Sequence, residues 1–441
     1  MSRRYTLWAN ALRCCGVSLF LLLVSQAPGL PRGDDTPAGF APAKLARIPA
    51  FLQEAVDKKQ ITGASVLLAR QGKVVYFKAV GQQDREANVP LTEATIFRIA
   101  SMSKPITSVA VMILVEDGKL SVTDPVAKFV PEFKEMQVLV PAKDGKSYTT
   151  VKAARDISVH DLLTHTSGLS YRLFDKPIIG KLYAEAGVSD GLAETPGTLG
   201  DNVRKLARLP LVCQPGAAFE YGLNTDVLGH IVEVVSGKTL EQFCQERLFG
   251  PLKMRDTCFV LPKEKHARLA SLYAAAPDKT LSRVGAGPVT AGGFVYSATY
   301  PTREGYTYYS GGAGLVSTAG DYFRFCQMLL NRGELDGVRI LQPETVTRMT
   351  QNQLGAMPLP FPMGNSFGYG FGLVTKEGRE QTKDPAAAGT YSWAGAFGTY
   401  FWVDPQNDMI GILMTQVFPP DFTLAQEFKK LTYEALTEAK K

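Results

Sequence analysis

The sequence predicts an α+β protein, with one antiparallel sheet built from distant parts of the chain and an inserted helical region. Three observations lead there. Strand-like runs gather near both ends of the 441 residues, helical periodicities dominate the middle, and no internal repeat divides the chain. Hydrophobic residues make up 45% and charged residues 20%, which excludes collagenous, disordered and coiled-coil classes. Lys and Arg exceed Asp and Glu by 6, and Arg3, Arg4 and Arg13 lie in the first fourteen residues. So small an excess, with no basic run, leaves no electrostatic footprint for nucleic acid.

Those arginines precede the apolar run 17–24, then Ser25-Gln26-Ala27 and the turn-forming Pro28-Gly29. The order charged, apolar, small reads as a cleaved signal peptide over 1–27, and therefore as export to the periplasm or the medium. A membrane anchor is the alternative, but the run is much shorter than the ~20 residues a spanning helix needs, so no stable insertion is expected after cleavage. Residues 28–43, rich in Pro, Gly, Asp and Ala, read as a linker, and 44–441 as the folded domain. Export would put Cys213, Cys244, Cys258 and Cys326 in an oxidising compartment, yet so few cysteines in so long a chain are expected to be buried thiols. No Cys/His cluster has zinc spacing, and His160 and His165, five apart, fall on different faces of a helix. Neither a metal nor an organic cofactor is implied.

Leu45, Ile48, Leu52 and Val56 predict a helix over 45–58, and 64–78 reads as two strands around Gln71-Gly72. Ile106, Val109, Ala110, Ile113 and Leu114 predict a buried helix over 105–118 whose first turn contains Ser101 to Lys104. Asp144-Gly145 marks a surface hairpin, and helices follow at 159–164, 199–206 and 224–236. A further helix opens at Thr318, where Asp321 completes a capping-box-like start. Strands near 392–402 and 409–416 are joined by the turn 404–408.

The sharpest chemical signal is Ser101-Met102-Ser103-Lys104. Three residues apart on a helix, a hydroxyl and an amine share a face, with Cβ atoms roughly 5–6 Å apart, so the amine can take the serine proton. A lysine with the ordinary pKa of about 10.4 is a poor base at neutral pH, and such a site has to depress it by burial or neighbouring charge. A helix amino terminus adds a field that favours an oxyanion at the serine. A chance surface pair is the alternative reading of this motif in isolation.

The motif is followed by Asp156-Ile-Ser-Val-His-Asp-Leu-Leu-Thr-His-Thr-Ser-Gly-Leu169 and by Ser310-Gly-Gly-Ala-Gly-Leu-Val-Ser-Thr-Ala-Gly-Asp321. Together, over about residues 45 to 435, these resemble the serine β-lactamase-like superfamily, closest to its class C branch and the family VIII carboxylesterases. The resemblance implies a β-lactamase/transpeptidase-like fold, with an α/β part at about 44–100 and 300–441 and a helical part at about 101–299. Tyr221-Gly222-Leu223 matches the family's Tyr-x-Asn element, with Tyr221 as general base and acid beside Lys104. Leu223 stands where β-lactamases place an amide, and Asn224 comes one residue late, a departure family VIII esterases share. The usual Lys-Thr-Gly is replaced by Trp393-Ala394-Gly395-Ala396, which has no cation. The resemblance implies an oxyanion hole from the Ala396 and Ser101 N–H groups, and a substrate cleft walled by Trp393, Ala394, Gly395, Leu223 and Asn224, although Trp393 also reads as a core aromatic.

His165 is expected to be structural, a satisfied histidine in a helix-ending turn, and neither His230 nor His266 has an Asp partner for a triad. The expected function is a serine hydrolase cleaving small esters or amides through an acyl-enzyme on Ser101. A β-lactamase or D-alanyl-D-alanine carboxypeptidase is the alternative, weakened because no cation stands ready to hold a substrate carboxylate. A non-catalytic envelope-binding protein is the reading from another class, and it gives no reason for Ser101, Lys104 and Tyr221 to coexist.

Overall fold

The structure is a computed structural model that describes residues 30, 39–172, 176–360 and 365–437. The expected signal peptide lies outside the described residues, as does the expected linker apart from Leu30 and 39–43. The helix expected over 45–58 is α1, Arg47–Asp57, set off by Ala46 from a single turn, Pro42–Leu45. β1, Gly63–Arg70, and β2, Lys73–Asp84, pair in register Arg70 to Lys73. Gln71 (φ 54°) and Gly72 (φ 73°) between them supply the two left-handed positions of a tight hairpin. A short β3, Val89–Pro90, edges the sheet.

Ser101 sits in a 3-10 turn, Ala100–Met102, that leads into α2, Ser103–Glu116. The serine thus precedes the helix instead of lying in its first turn. α3, Val159–Leu163, α4, Leu199–Leu206, and α5, Asn224–Ser236, follow at their expected places. A separate hairpin pairs β4, Pro288–Ala291, with β5, Phe294–Ser297. Next come α6, Ala319–Leu330, β6, Ser366–Phe367, β7, Gly372–Leu373, β8, Tyr391–Gly395, β9, Thr399–Asp404, β10, Met409–Met414, and α7, Phe422–Ala435. The stretch expected as one strand over 392–402 is therefore two. Gly398, at φ 83°, donates its N–H to Gly395 O at 3.0 Å and folds the chain back between them.

The main sheet runs β6-β7-β8-β9-β10-β1-β2-β3, antiparallel throughout, so the two ends of the chain meet at the β10–β1 pair. On one face Ile48 and Leu52 of α1 and Phe428 and Leu431 of α7 pack on Val66, Leu68, Trp402 and Leu413. On the other, residues of α2 and α6 join Leu67, Ala69, Phe401, Ile410 and Ile412 in the main core. With both faces covered, every residue of β1 and β10 is buried, which is why β10 reads as a continuous apolar run and β1 as nearly one, broken by Ser65 and ended by Arg70.

The start of α6 departs from expectation. Thr318 accepts the Asp321 N–H at 3.1 Å, but the Asp321 carboxylate turns away to the Asp256 N–H at 2.7 Å and the Thr257 hydroxyl at 3.0 Å. Only half of a capping box forms, and Asp321 ties α6 to the 256–257 loop. Cys213, Cys244, Cys258 and Cys326 are free, the last three buried.

Candidate active site

The turn carrying Ser101 is gripped from several sides. Ile99 donates its N–H to Leu315 O, Ser103 Oγ accepts the Leu315 N–H, Tyr322 OH donates to Met102 O at 2.9 Å, and Thr399 Oγ1 donates to Ile99 O. Ala100 is held at φ 43°, a left-handed conformation that costs an alanine about 1–2 kcal/mol. That strain sits next to the half-buried serine it presents.

Lys104 is fully buried and makes three hydrogen bonds, to Gly312 O at 2.8 Å, Tyr171 OH at 3.0 Å and Ser101 Oγ at 3.1 Å. Three acceptors match the three protons of an ammonium group. Gly312 O can only accept, so a neutral Lys104 can take a hydrogen bond only from one of the two hydroxyls, Ser101 or Tyr171. Two phenol rings flank the amine, with centroids 4.7 Å (Tyr221) and 5.4 Å (Tyr171) from Nζ.

The half-buried Tyr221 receives the Trp393 indole N–H at 3.3 Å. Its ring also touches His165, Tyr171 and Trp393, at 4.8, 5.6 and 5.5 Å between centroids. Tyr171 is buried, and burial together with the charges of Tyr221, Asp226 and Asp190 pushes its pKa well above 10, so it stays a phenol. Between the two tyrosines, Tyr221 is the one that keeps some exposure.

His165, at φ 57°, accepts from Asn224 Nδ2 at 2.9 Å and from the Gly222 N–H through Nδ1. Burial, and then the charge of Lys104, hold its pKa well below 6.5, so the imidazole is neutral with its proton on Nε2. It braces the Tyr221 loop.

Several residues expected to wall the cleft have other duties. Leu223 is fully buried in the core, and Asn224, also fully buried, bonds His165, Leu169 O, Glu220 O and Ser167. The amide one position late, at the start of α5, is thus a buried strut beneath the Tyr221 loop. Trp393 is 1% exposed, packed edge-on against Phe367 and bonded to Tyr221, so it acts on the site through that tyrosine. Ala394 is buried as well. Gly395 is packed so closely that a Cβ there would lie 2.3 Å from Ile99 O, which docks the end of β8 on the serine turn. Ala396 follows, half-buried, at the bend into β9.

Two members of the cluster escaped the sequence reading. Tyr171 lies two residues past the motif ending at Leu169. Asp226 falls on the apolar stripe of α5 with Leu223 and Val227, an acid at a core position, and that was the available signal. It is fully buried, takes the Tyr308 hydroxyl at 3.3 Å, and leaves Oδ2 without a hydrogen bond. A Cβ on Gly312 would stand 2.6 Å from that oxygen and 3.4 Å from both Lys104 Nζ and Tyr171 OH. Burial raises the Asp226 pKa to about 6, against the opposing pull of Ser310, Lys104 and Tyr308.

Comparison with known proteins agrees with this geometry. The Beta-lactamase family model matches residues 48–434. Esterase EstB of Burkholderia gladioli is 33% identical, covering 85% of this chain and 91% of its own. Lovastatin esterase of Penicillium rubens is 31% identical, covering 86% and 94%. Among solved structures, EstCE1, a hydrolase with promiscuous acyltransferase activity, superposes with a TM-score of 0.76 at 30% identity, covering 89% of this chain and 98% of its own. The buried lysine against a strained serine turn thus stands within a β-lactamase/transpeptidase fold, and the chain belongs to the beta-lactamase family as a serine hydrolase.

Proposed function

We propose that this protein is an exported carboxylesterase in which Ser101 is the nucleophile. The carrying observation is the 3.1 Å bond between Lys104 Nζ and Ser101 Oγ, inside a cluster that satisfies the amine's other two bonds. Ser101 passes its proton to Lys104, assisted by Tyr221, as Oγ attacks the ester carbonyl. The tetrahedral oxyanion is held by the N–H groups of Ser101 and Ala396. Tyr221 then protonates the leaving alcohol and is reprotonated from Lys104, which leaves the acyl-enzyme with both groups as they began. Water, or a second alcohol in acyl transfer, attacks the acyl carbonyl and gives its proton to the same pair, and that proton returns to Ser101 Oγ as the ester bond to it breaks. An ester is favoured over a β-lactam or a peptide because 393–396 carries no cation for a carboxylate.

Covalent capture by a fluorophosphonate tests the nucleophile. The parent is expected to gain one adduct at Ser101, and Ser101→Ala none. Equal capture of both would remove Ser101 from the chemistry, and no capture of the parent would return weight to a binding protein. Nitrocefin, run alongside, is expected to turn over far more slowly than a p-nitrophenyl ester.

A further inference from the structure

The hairpin β4–β5 has two unlike faces. Its pairs Val289 with Tyr296 and Ala291 with Phe294 put these four side chains on one side, while Pro288 and Thr290 are exposed on the other. The inner four belong to a satellite cluster that also contains Ala100, Ala313, Ala396, Leu192, Phe397 and Phe418. Ala100 adjoins the nucleophile, Ala313 follows the Gly312 carbonyl that holds Lys104, and Ala396 is the second oxyanion donor of the proposed reaction.

Burial along the hairpin is graded. At its base Tyr296 is 1% exposed and Leu192 bridges to it, whereas toward the tip Ala291 and Phe294 are only half-buried. The tip is Gly292-Gly293, both at positive φ, with open space around Gly292. Phe294, beside the tip, has its ring 6.4 Å from Tyr171 and 5.7 Å, edge-on, from Phe418. Tyr171 in turn carries a Lys104 hydrogen bond. The cluster thus offers the half-buried Ala396, Ala291 and Phe294 as apolar surface, seated on the buried Ala100 and Ala313. Arg98, below it, donates to Ala270 O, Ala298 O and Gln416, so its charge is tied into the scaffold.

We infer that the inner face of this hairpin, with Phe294 at its head, is the acyl-chain wall of the active site and selects esters of uncharged aliphatic acids. The inference rests on the esterase reading above. A half-exposed apolar surface beside the nucleophile gains by covering each added methylene of an acyl chain, and a hydrophobic pocket discriminates by about tenfold or more per methylene.

The test compares kcat/KM for p-nitrophenyl acetate, butyrate and hexanoate, which share one leaving group, so the ratio reads the acyl side alone. In Phe294→Ala the hexanoate-to-acetate ratio is expected to fall about tenfold. Thr290→Ala, on the outward face, should keep the parent ratio. A ratio unchanged or raised in Phe294→Ala would overturn the assignment. Fluorophosphonate labelling of the same preparations separates the two levels: a variant that labels like its parent is folded with a reactive serine, and its ratio then judges the wall. A parent that neither labels nor turns over any ester would defeat the esterase reading itself. Should Phe294→Ala fail to label, Phe294→Leu replaces it, with an intermediate ratio expected and an unchanged one contradicting the assignment.

Discussion

In the proposed mechanism Lys104 is the residue on which the chemistry turns, because a buried amine must be matched in either protonation state. As an ammonium it has three acceptors; in the proposed step it starts as an amine that keeps Gly312 O and Tyr171 and takes the Ser101 proton. Replacing it with the unbranched, uncharged methionine keeps the volume but takes a donor from Gly312 O and Tyr171 OH, a loss of about 1–3 kcal/mol for each buried group left unsatisfied, so a thermal melt accompanies the assay. Esterase kcat/KM should fall by about 10²–10⁴, the range for loss of a general base. A Lys104→Met enzyme within tenfold of its parent would take the lysine out of the reaction. Asp226 gives a pH test with a definite sign. Its pKa is raised from 3.8 to about 6 on folding, so the folded state holds the proton more tightly, and stability falls as pH rises from about 4 to about 6 and levels off above. In urea titrations at stepped pH, Asp226→Asn should lose less stability than its parent across that window. Parallel curves would mean that the carboxyl does not titrate there.

The reacting groups are held by joints between elements more than by any one element. The serine turn touches the Leu315 segment, α6 through Tyr322, and the β8–β9 bend through Gly395 and Thr399. An alanine Cβ at position 395 would meet Thr399 Oγ1 at 2.2 Å and Ile99 O at 2.3 Å, and the second of these is backbone that cannot rotate away. Gly395→Ala is therefore expected to destabilise by about 1–3 kcal/mol, as overpacking does, and to lower activity further by shifting the serine turn. A thermal melt and an ester assay on one preparation check both. Sequence periodicity located α1, α2 and α5 because their apolar residues recur at helical spacing, although α2 is buried on every side from Ser103 to Leu114. It did not separate β8 from β9, because Ser392 to Trp402 is apolar or small throughout and only the φ of Gly398 reveals the bend. It also read Leu223 and Asn224 as cleft residues from their place in a motif, where the three-dimensional position of α5 makes one a core side chain and the other a strut.

Taken whole, the molecule is a sheet in which strands from the two ends of the chain pair side by side, with the residues between them bringing Lys104, Tyr171, Tyr221 and Asp226 together beside β8. The fold class was legible because strands cluster at both ends of the sequence. The pairing of Ser101 with Lys104 was legible because residues three apart on a helical path share a face, and the structure joins them by a 3.1 Å hydrogen bond. Tyr171 and Asp226 were not, since their role depends on contacts across 67 residues in one case and on burial in the other. The free thiols carry a whole-molecule expectation: Cys213, Cys244, Cys258 and Cys326 form no disulfide, so the unfolding midpoint should be the same with and without reductant. A large drop on reduction would show that a bridge exists. The central claim, that Ser101 does the chemistry, is tested most directly by the initial rate of p-nitrophenyl butyrate hydrolysis by the protein beside Ser101→Ala. Turnover by the parent and only the uncatalysed rate from Ser101→Ala is the expected result. Equal rates from the two proteins would contradict the account.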